Sequence, residues 1–232
     1  MAEIQVLLVP NLRKSYEKAS LIIEESHFDM LFLNLPRNTQ YAISSYCSGK
    51  ITLNELKERL NFLPPEPTNS WIYFFEPILK VLKHETYCYI ESYDDFAKIT
   101  SEILVLTFRS IVTGKINLRE WIELLKPKSM DFEVEFISHR ARGKCLCISD
   151  IHGWNLAHGI RKYDHKVSIK SVERLYFLKP LESLCLLIER GKLDMAEALI
   201  KEHIKFISEF VLKSNNIDEA YFSWIKKYSY FR

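Results

Sequence analysis

Two apolar runs near the N-terminus, separated by one amphipathic segment, restrict the fold more than any other feature of the sequence. Residues 4–9 are mostly apolar and end at Pro10, and residues 29–36 repeat that pattern and end at a proline. Between them, residues 12–25 carry apolar side chains at helical spacing among charges. A strand, a helix and a strand within about 30 residues form a βαβ unit, whose handedness makes the two strands parallel.

A second constraint lies in residues 144–159. Leu146, Cys147 and Ile148 form a short apolar run typical of a buried strand. The polar segment Ser-Asp-Ile-His-Gly at 149–153 follows that run directly. In open parallel sheets, ligands bind in the crevice outside the carboxyl ends of the strands. We therefore expect the functional site at this end of the predicted strand.

The sequence predicts an α/β protein with a mainly parallel sheet of four or five strands flanked by helices. Residues 86–91 are rich in β-forming side chains and supply the third strand. We expect an α/β domain over residues 1–165, with helical insertions at about 40–83 and 93–142. An α-helical C-terminal subdomain is expected over residues 166–232. The prolines of residues 64–67 indicate an exposed linker.

Three short segments share the pattern Gly-Lys-apolar-(Thr, Asn or Asp)-x-x-Glu. They begin at Gly49, Gly114 and Gly191. The glycine suits the left-handed position that ends a helix. The Thr, Asn or Asp three residues later is an N-cap candidate, and the glutamate can complete a capping box. We expect three helix–turn–helix corners.

Composition excludes some classes of partner. A net charge of +2 gives no electrostatic case for nucleic acid, whose binders carry a clustered basic face. The N-terminal apolar run is too short for a signal sequence or a membrane span, so we expect a soluble cytoplasmic protein.

Cys145 and Cys147 are expected on opposite faces of their strand, unable to share a metal. Few glutamines beside abundant Ile, Lys and Glu fit a thermophile or an AT-rich genome.

Polar side chains stand at the carboxyl end of each of the four predicted strands. They are Asn11 and Arg13, then Asn34 and Arg37, then Glu91, and finally Asp150 and His152. A histidine, two carboxylates and two arginines suffice for acid–base hydrolysis or for anion binding. Each has a structural alternative, since Asp150 can cap the helix that starts near Gly153 and the arginines can be surface residues.

Known catalytic motifs give little support to any particular enzyme class. Asp-x-His-Gly at 150–153 resembles the first metal motif of calcineurin-like phosphoesterases, but none of the six glycines begins the further ligand motifs that those enzymes need. We predict no metal site. The glycine-rich nucleotide loops, the nucleophile elbow and the zincin motif are absent as well, so the sequence points to no particular cofactor.

Residues 130–160 run as an acidic helix, a basic turn, an apolar strand, a histidine and a second helix. In this order they resemble the TraB/ChaN/erythromycin-esterase-like superfamily, and the resemblance extends over most of residues 4–163. It implies a hydrolase in which His152 acts with Glu133 or Glu135. Two positions depart from the pattern. Asn11 and its neighbours replace a histidine, and Asn34 replaces a glutamate. Because amides cannot act as general bases, we expect a degenerate member.

Three functional hypotheses follow. The first is a hydrolase with His152 as the acid–base or metal residue, assisted by Glu91, Glu133 or Asp150. The second is a module that binds an unidentified small molecule or protein in the same cleft without turnover. The third is an interaction protein that acts through its C-terminal helices, for example as a homodimer packed around Trp224. The sequence does not identify the substrate or the oligomeric state.

Overall fold

The computed structural model describes residues 1–60, 72–82, 85–91 and 93–229. The predicted linker at 64–67 lies outside these ranges. Within them, five parallel strands form one sheet in the order β3-β2-β4-β1-β5. The strands are β1 (Glu3–Leu8), β2 (Met30–Pro36), β3 (Thr86–Ile90), β4 (Lys144–Ser149) and β5 (Lys166–Ser171). Helices flank this sheet, and the C-terminal region is helical, which confirms the predicted fold class.

Eleven α-helices occur in the described part of the chain. They are α1 (Arg13–Glu25), α2 (Gln40–Cys47), α3 (Leu53–Leu60), α4 (Ile72–Leu79), α5 (Tyr93–Thr113), α6 (Leu118–Leu124), α7 (Asp131–Arg140), α8 (Gly153–Arg161), α9 (Pro180–Glu189), α10 (Ala196–Lys205) and α11 (Ile217–Ser229). Short 3-10 turns cover Arg37–Thr39 and Val211–Lys213, and a π-helical turn covers Phe206–Phe210. Among these helices, none combines the length and the apolar character needed to cross a membrane.

The chain divides into two compact units. The α/β unit comprises the described parts of Met1–Leu63, Trp71–Tyr93 and Ser129–Leu175, and the helical unit those of Asp94–Lys128 and Tyr176–Arg232. The expected boundary at residue 165 therefore differs from the structure, because β5 pairs with β1 and belongs to the sheet. This edge strand is mostly exposed and has no apolar run, so the sequence pattern did not reveal it. The predicted insertion at 93–142 is divided between the two units.

Alternate residues of the central strands face helices α7 and α8. Ile4 of β1 and Met30 of β2 both pair with Cys145 of β4, and the next residues on that face include Cys147. These side chains form one buried cluster with apolar residues of α7 and α8, including Val134 and Ile137, Leu156 and Ile160. The expectation that the thiols of Cys145 and Cys147 point to opposite faces was wrong, since residues two apart in a strand share a face.

The strand order puts the connecting helices on both faces of the sheet. The β1–β2 and β2–β3 crossovers run toward the β3 edge, whereas the β3–β4 and β4–β5 crossovers run toward the β5 edge. Because such crossovers are right-handed, α1 and α4 lie on the face opposite α7 and α8. α1 and α4 contact each other, and the Tyr16 and Phe75 ring centroids are 4.8 Å apart. Neighbouring strands β2 and β4 thus send their chains to opposite faces, and in open parallel sheets ligands bind outside the carboxyl ends of two such strands.

In the helical unit, Trp121 is fully buried among apolar residues of α6, α9 and α10. On α11, the Trp224 ring contacts the Phe206 and Tyr221 rings at centroid distances of 5.6 and 6.1 Å. Within the unit, Trp224 and Tyr221 of α11 therefore contribute to packing inside the chain. The homodimer around Trp224 remains a prediction.

The helix corners form at all three predicted places, and two of them carry the predicted cap. All three glycines have positive φ, namely 71° at Gly49, 66° at Gly114 and 67° at Gly191. The first two corners carry the reciprocal contacts between the N-cap residue and the glutamate, in the pairs Thr52–Glu55 and Asn117–Glu120. At the third corner, α10 begins later, at Ala196, with Met195 as its N-cap residue, so Asp194 is not the cap.

Candidate functional site

A buried hydroxyl group lies near the carboxyl edge of the sheet. The Tyr89 side chain, on β3, is 1% exposed, and its hydroxyl donates a hydrogen bond to the carbonyl oxygen of Ile148, at 2.9 Å. Burial is the largest cause that raises the pKa of Tyr89, and the negative charges of Asp150 and Glu133 act in the same direction. Glu91, which directly follows β3, contacts Glu133 through its backbone N–H.

Glu133 is the acid–base candidate of this group. It lies in the first turn of α7, and its Oε1 accepts a hydrogen bond from the backbone N–H of Glu91, at 3.4 Å. Burial raises the pKa of the Glu133 carboxyl, backbone hydrogen bonds oppose that effect, and the charges of Glu91 and Asp131 raise the pKa further. A raised pKa makes this carboxyl group easier to protonate than an exposed glutamate.

Asn34 contributes an acceptor that nothing in the described structure satisfies. It lies on β2 two residues beyond Phe32, in the stretch between Leu33 and Pro36 where the pairing of β2 with β3 shifts register. Its Oδ1 atom is buried and has no hydrogen-bond partner among the described residues. Because buried polar atoms nearly always have a partner, this oxygen indicates a missing donor from water or a ligand.

Asp150 and His152 build the start of α8. Asp150 Oδ1 accepts a hydrogen bond from the backbone N–H of His152, at 2.9 Å, and His152 is the N-cap residue of the helix. Gly153 follows, and a Cβ atom there would lie 2.3 Å from Leu8 Cδ2, so only glycine lets the helix begin against the end of β1. Asp150 therefore stabilises the turn before α8 but is not the N-cap residue that the structural alternative expected, and its charge acts on Tyr89.

Two predicted ligand-binding residues belong to a different place. The Arg13 guanidinium donates hydrogen bonds to the carbonyl oxygen of Tyr73 at 2.9 Å and to Glu76 at 3.3 Å, and it also pairs with Glu17. These contacts join α1 to α4 on the other face of the sheet. Asn11 Oδ1 accepts a hydrogen bond from the Tyr16 hydroxyl, at 3.3 Å. Asn11 and Arg13 therefore have structural partners, and we leave them out of the candidate site.

Arg37, the other predicted arginine, is on the side of α7. Its guanidinium carbon lies 5.4 Å from the ring centroid of Phe132 and 5.0 Å from that of Phe136. Five of the eight predicted residues thus remain candidates near the carboxyl edge of the sheet, namely Asn34, Arg37, Glu91, Glu133 and Asp150. Of these, Glu91 and Glu133 are joined by a hydrogen bond. Sequence reasoning missed Tyr89, because a tyrosine inside a strand is indistinguishable from an ordinary core residue.

Two other possibilities for a site were considered. In the described part of the chain, no cluster of three or more His, Cys, Asp or Glu side chains is placed to hold a metal ion. An open groove of about 440 Å³ lies at the opposite, amino edge of the sheet, lined among others by Gln5, His27 and Lys144. The unsatisfied Asn34 oxygen and the perturbed Glu133 lie at the carboxyl edge, so the chemistry favours that edge over the groove.

Comparisons of the chain with models of protein families, with curated proteins and with solved structures gave no match. The resemblance to the TraB/ChaN/erythromycin-esterase-like superfamily therefore stays a prediction, and so does the hydrolytic activity that it implies.

Proposed function

We propose that the α/β unit binds a small polar ligand at the carboxyl ends of β2, β3 and β4, through a hydroxyl or amine group of the ligand. The observation that supports this most is the buried Asn34 Oδ1, which has no hydrogen-bond partner among the described residues. An unsatisfied buried acceptor costs roughly 1–3 kcal/mol of stability. A ligand donor that reaches this oxygen recovers that cost when it binds.

Glu133 is the group that could extend binding to catalysis. Its raised pKa suits the acid–base step of a hydrolase, as the superfamily resemblance implies. Two other residues of the expected hydrolytic machinery are less suited to catalysis. Asn34 is an amide in place of a carboxylate, and Asp150 already holds the start of α8. We thus propose a hydrolase-like binding cleft with one acid–base residue. Experiment decides whether this cleft also converts a substrate.

Ligand-observed NMR with hydroxyl- and amine-bearing fragments tests this function. We expect fragments that bind the wild type to lose about tenfold or more in affinity in Asn34→Leu, because leucine removes the acceptor at similar volume. The same variant should unfold at higher denaturant concentration, since it removes an unsatisfied polar atom. The matched control is Asn38→Leu, an exposed asparagine in the 3-10 turn after β2, which should leave binding unchanged.

The proposal fails if wild type and Asn34→Leu bind the same fragments equally. For a bound fragment that carries an ester or amide bond, Glu133→Gln separates the two versions of the function. Lost hydrolysis with retained binding would make the protein a hydrolase, whereas binding without turnover in both chains would make it a binding module.

A further inference from the structure

The two edges of the sheet, β3 and β5, are finished differently. At the β3 edge, the side-chain amide of Gln40 takes the place of a neighbouring strand. Its Nε2 donates a hydrogen bond to the carbonyl oxygen of Thr86, at 2.9 Å, and its Oε1 accepts one from the backbone N–H of Cys88, at 2.7 Å. Unpaired backbone groups at a sheet edge attract another strand, so the chain itself partly closes this edge.

The β5 edge is more open. The backbone N–H groups of Lys166 and Val172 donate to β1, both at 3.0 Å. The alternation of a parallel ladder then directs outward the backbone groups of the alternate residues between them, Val167, Ile169 and Ser171. Arg161 Nη2 donates to the carbonyl oxygen of Val167, at 3.3 Å, whereas the outward N–H and C=O of Ile169 have no hydrogen-bond partner among the described residues.

Helix α8 contacts β5 and presents an exposed aromatic ring on the side of this edge. The hydrogen bond from Arg161 to Val167 shows that this face of α8 is directed toward the edge. Trp154 lies about two turns before Arg161, about 10 Å along the same face. It is 62% exposed, in contrast to the buried Leu156 and Ile160 on the core side of the helix. A strand added beside β5 therefore meets the Trp154 ring, and tryptophan is a frequent anchor of protein interfaces.

The face of β5 that points away from α8 is basic. Val167 and Ile169 pack against the core cluster of α7 and α8, so Lys166 and Lys170 lie on the opposite face. Lys166 Nζ is 2.7 Å from a carboxylate oxygen of Glu3, whereas Lys170 has no ion-pair partner among the described residues. Lysine on an edge strand disfavours pairing with an apolar strand, but opposite charges on neighbouring strands attract. An added strand therefore requires apolar side chains on the α8 side and acidic ones on the lysine side.

We propose that the β5 edge binds an extended segment of a partner protein in which apolar and acidic residues alternate. The backbone of that segment pairs with the outward groups of β5, in the mode known as β-augmentation. Its apolar side chains lie against Trp154, and its acidic side chains pair with Lys170. This surface is formed by β5 and the exposed side of α8, so it adds an interaction to the proposed cleft at β2, β3 and β4.

A second copy of this chain fits the edge less well. Two β5 strands related by a two-fold axis would run antiparallel, and Lys166 and Lys170 of one strand would lie opposite or diagonal to those of the other. Like charges opposite each other on neighbouring strands destabilise the pair. An acidic partner segment avoids this repulsion.

Amide hydrogen exchange measured by NMR tests the proposal, because it reports each outward N–H group separately. The probe is a short end-blocked peptide in which glutamate and isoleucine alternate. At saturating peptide, we expect exchange of the outward N–H groups of Val167, Ile169 and Ser171 to slow about tenfold or more. An isomer of the same composition, in which the glutamates precede the isoleucines, should leave these rates unchanged because its side chains do not alternate between two faces.

Two variants test the side chains of this surface. Lys170→Glu should weaken binding of the acidic peptide about tenfold or more, and it should bind a peptide of alternating lysine and isoleucine instead. Trp154→Ala should weaken binding of the acidic peptide without unfolding the protein, since this ring is mostly exposed. The matched control is Lys50→Glu, the same change of charge at an exposed lysine after α2, a helix that contacts β3 at the other edge of the sheet. This control should bind the acidic peptide as the wild type does.

The inference is overturned if the alternating peptide leaves exchange of the outward N–H groups of β5 unchanged, or if Lys170→Glu and Lys50→Glu weaken binding equally. It is also wrong if these groups already exchange slowly in the protein alone and analytical ultracentrifugation shows a dimer, because a second copy then covers the edge. None of these results depends on Asn34, so the proposed function is tested separately.

Discussion

Lowering the pH from 7 to 4 should destabilise the helical unit through one buried histidine. His203 of α10 is 5% exposed, and its Nε2 lies 3.3 Å from the hydroxyl oxygen of Thr107. That hydroxyl donates its own hydrogen to the carbonyl oxygen of Ile103, at 2.7 Å, so His203 is the donor of the bond between them. Its Nδ1 is buried without a partner among the described residues, and the ring packs edge-on against Trp121. If Nδ1 took up a proton, the described residues would offer no acceptor for the new N–H group.

The magnitude follows from the pKa of His203, which burial and the nearby positive charge of Lys179 lower from 6.5 to about 4. Below pH 6.5 His203 becomes protonated in the unfolded chain, whereas in the folded chain it stays neutral until the pH approaches 4. The free energy of unfolding therefore falls as the pH decreases, and the loss is complete only below pH 4. A pKa difference of about 2.5 at about 1.4 kcal/mol per pH unit predicts a full loss of about 3.5 kcal/mol, of which about 3 kcal/mol is reached at pH 4.

Urea unfolding followed by far-ultraviolet circular dichroism at several pH values between 4 and 7 measures this loss. Other groups titrate in the same range, so the comparison is with His203→Gln, which cannot ionise but can still donate to Thr107. The variant should lose about 3 kcal/mol less than the wild type over that range. The control His158→Gln, at an exposed site on α8, should behave as the wild type.

Equal pH dependence in wild type and His203→Gln would refute the reasoning. If the variant does not fold, the NMR titration of the His203 ring in the wild type provides an independent measurement. A ring that titrates near pH 6.5 in the folded protein would contradict the structure, because it would mean that the ring is hydrated or has an acceptor.

Two further predictions concern the sheet edge. Gly153→Ala should lower the free energy of unfolding by about 1–3 kcal/mol, since the new methyl group overlaps Leu8, and urea unfolding measures this; unchanged stability would mean that α8 starts elsewhere. Tyr89→Phe should cost about 1 kcal/mol, because it removes the hydrogen bond to Ile148, and a loss indistinguishable from zero would mean that this hydroxyl bonds to water instead.

The strands of the sheet could largely be predicted from the sequence, but their order could not. β1, β2 and β4 are apolar on both faces, so each is recognisable as a local run. Their order depends on pairings between segments far apart in the chain, such as Glu3 with Lys144, which no local pattern encodes. β5 was missed because only Val167 and Ile169 face the core and the rest of the strand is exposed.

For the candidate site, the sequence indicated the edge of the sheet but not the face. Asn34, Glu91 and Asp150 were predicted from their positions near strand ends, whereas Glu133 came from the superfamily resemblance. The structure joins Glu91 and Glu133 by a hydrogen bond. Arg13 follows a strand end in the same way, yet it joins α1 to α4. The difference is the direction of the crossover after β1, which depends on the strand order and was therefore inaccessible to the sequence.

The asparagine at position 34 bears on the ligand as much as on catalysis. The superfamily pattern expects a glutamate there, which would be a group able to take up a proton. With an amide, that position accepts a hydrogen bond without adding charge, and it cannot act as a general base. The buried Oδ1 atom of Asn34 then remains as an acceptor for a ligand donor. The loss of a catalytic carboxylate and the presence of this neutral acceptor are thus two consequences of the same substitution.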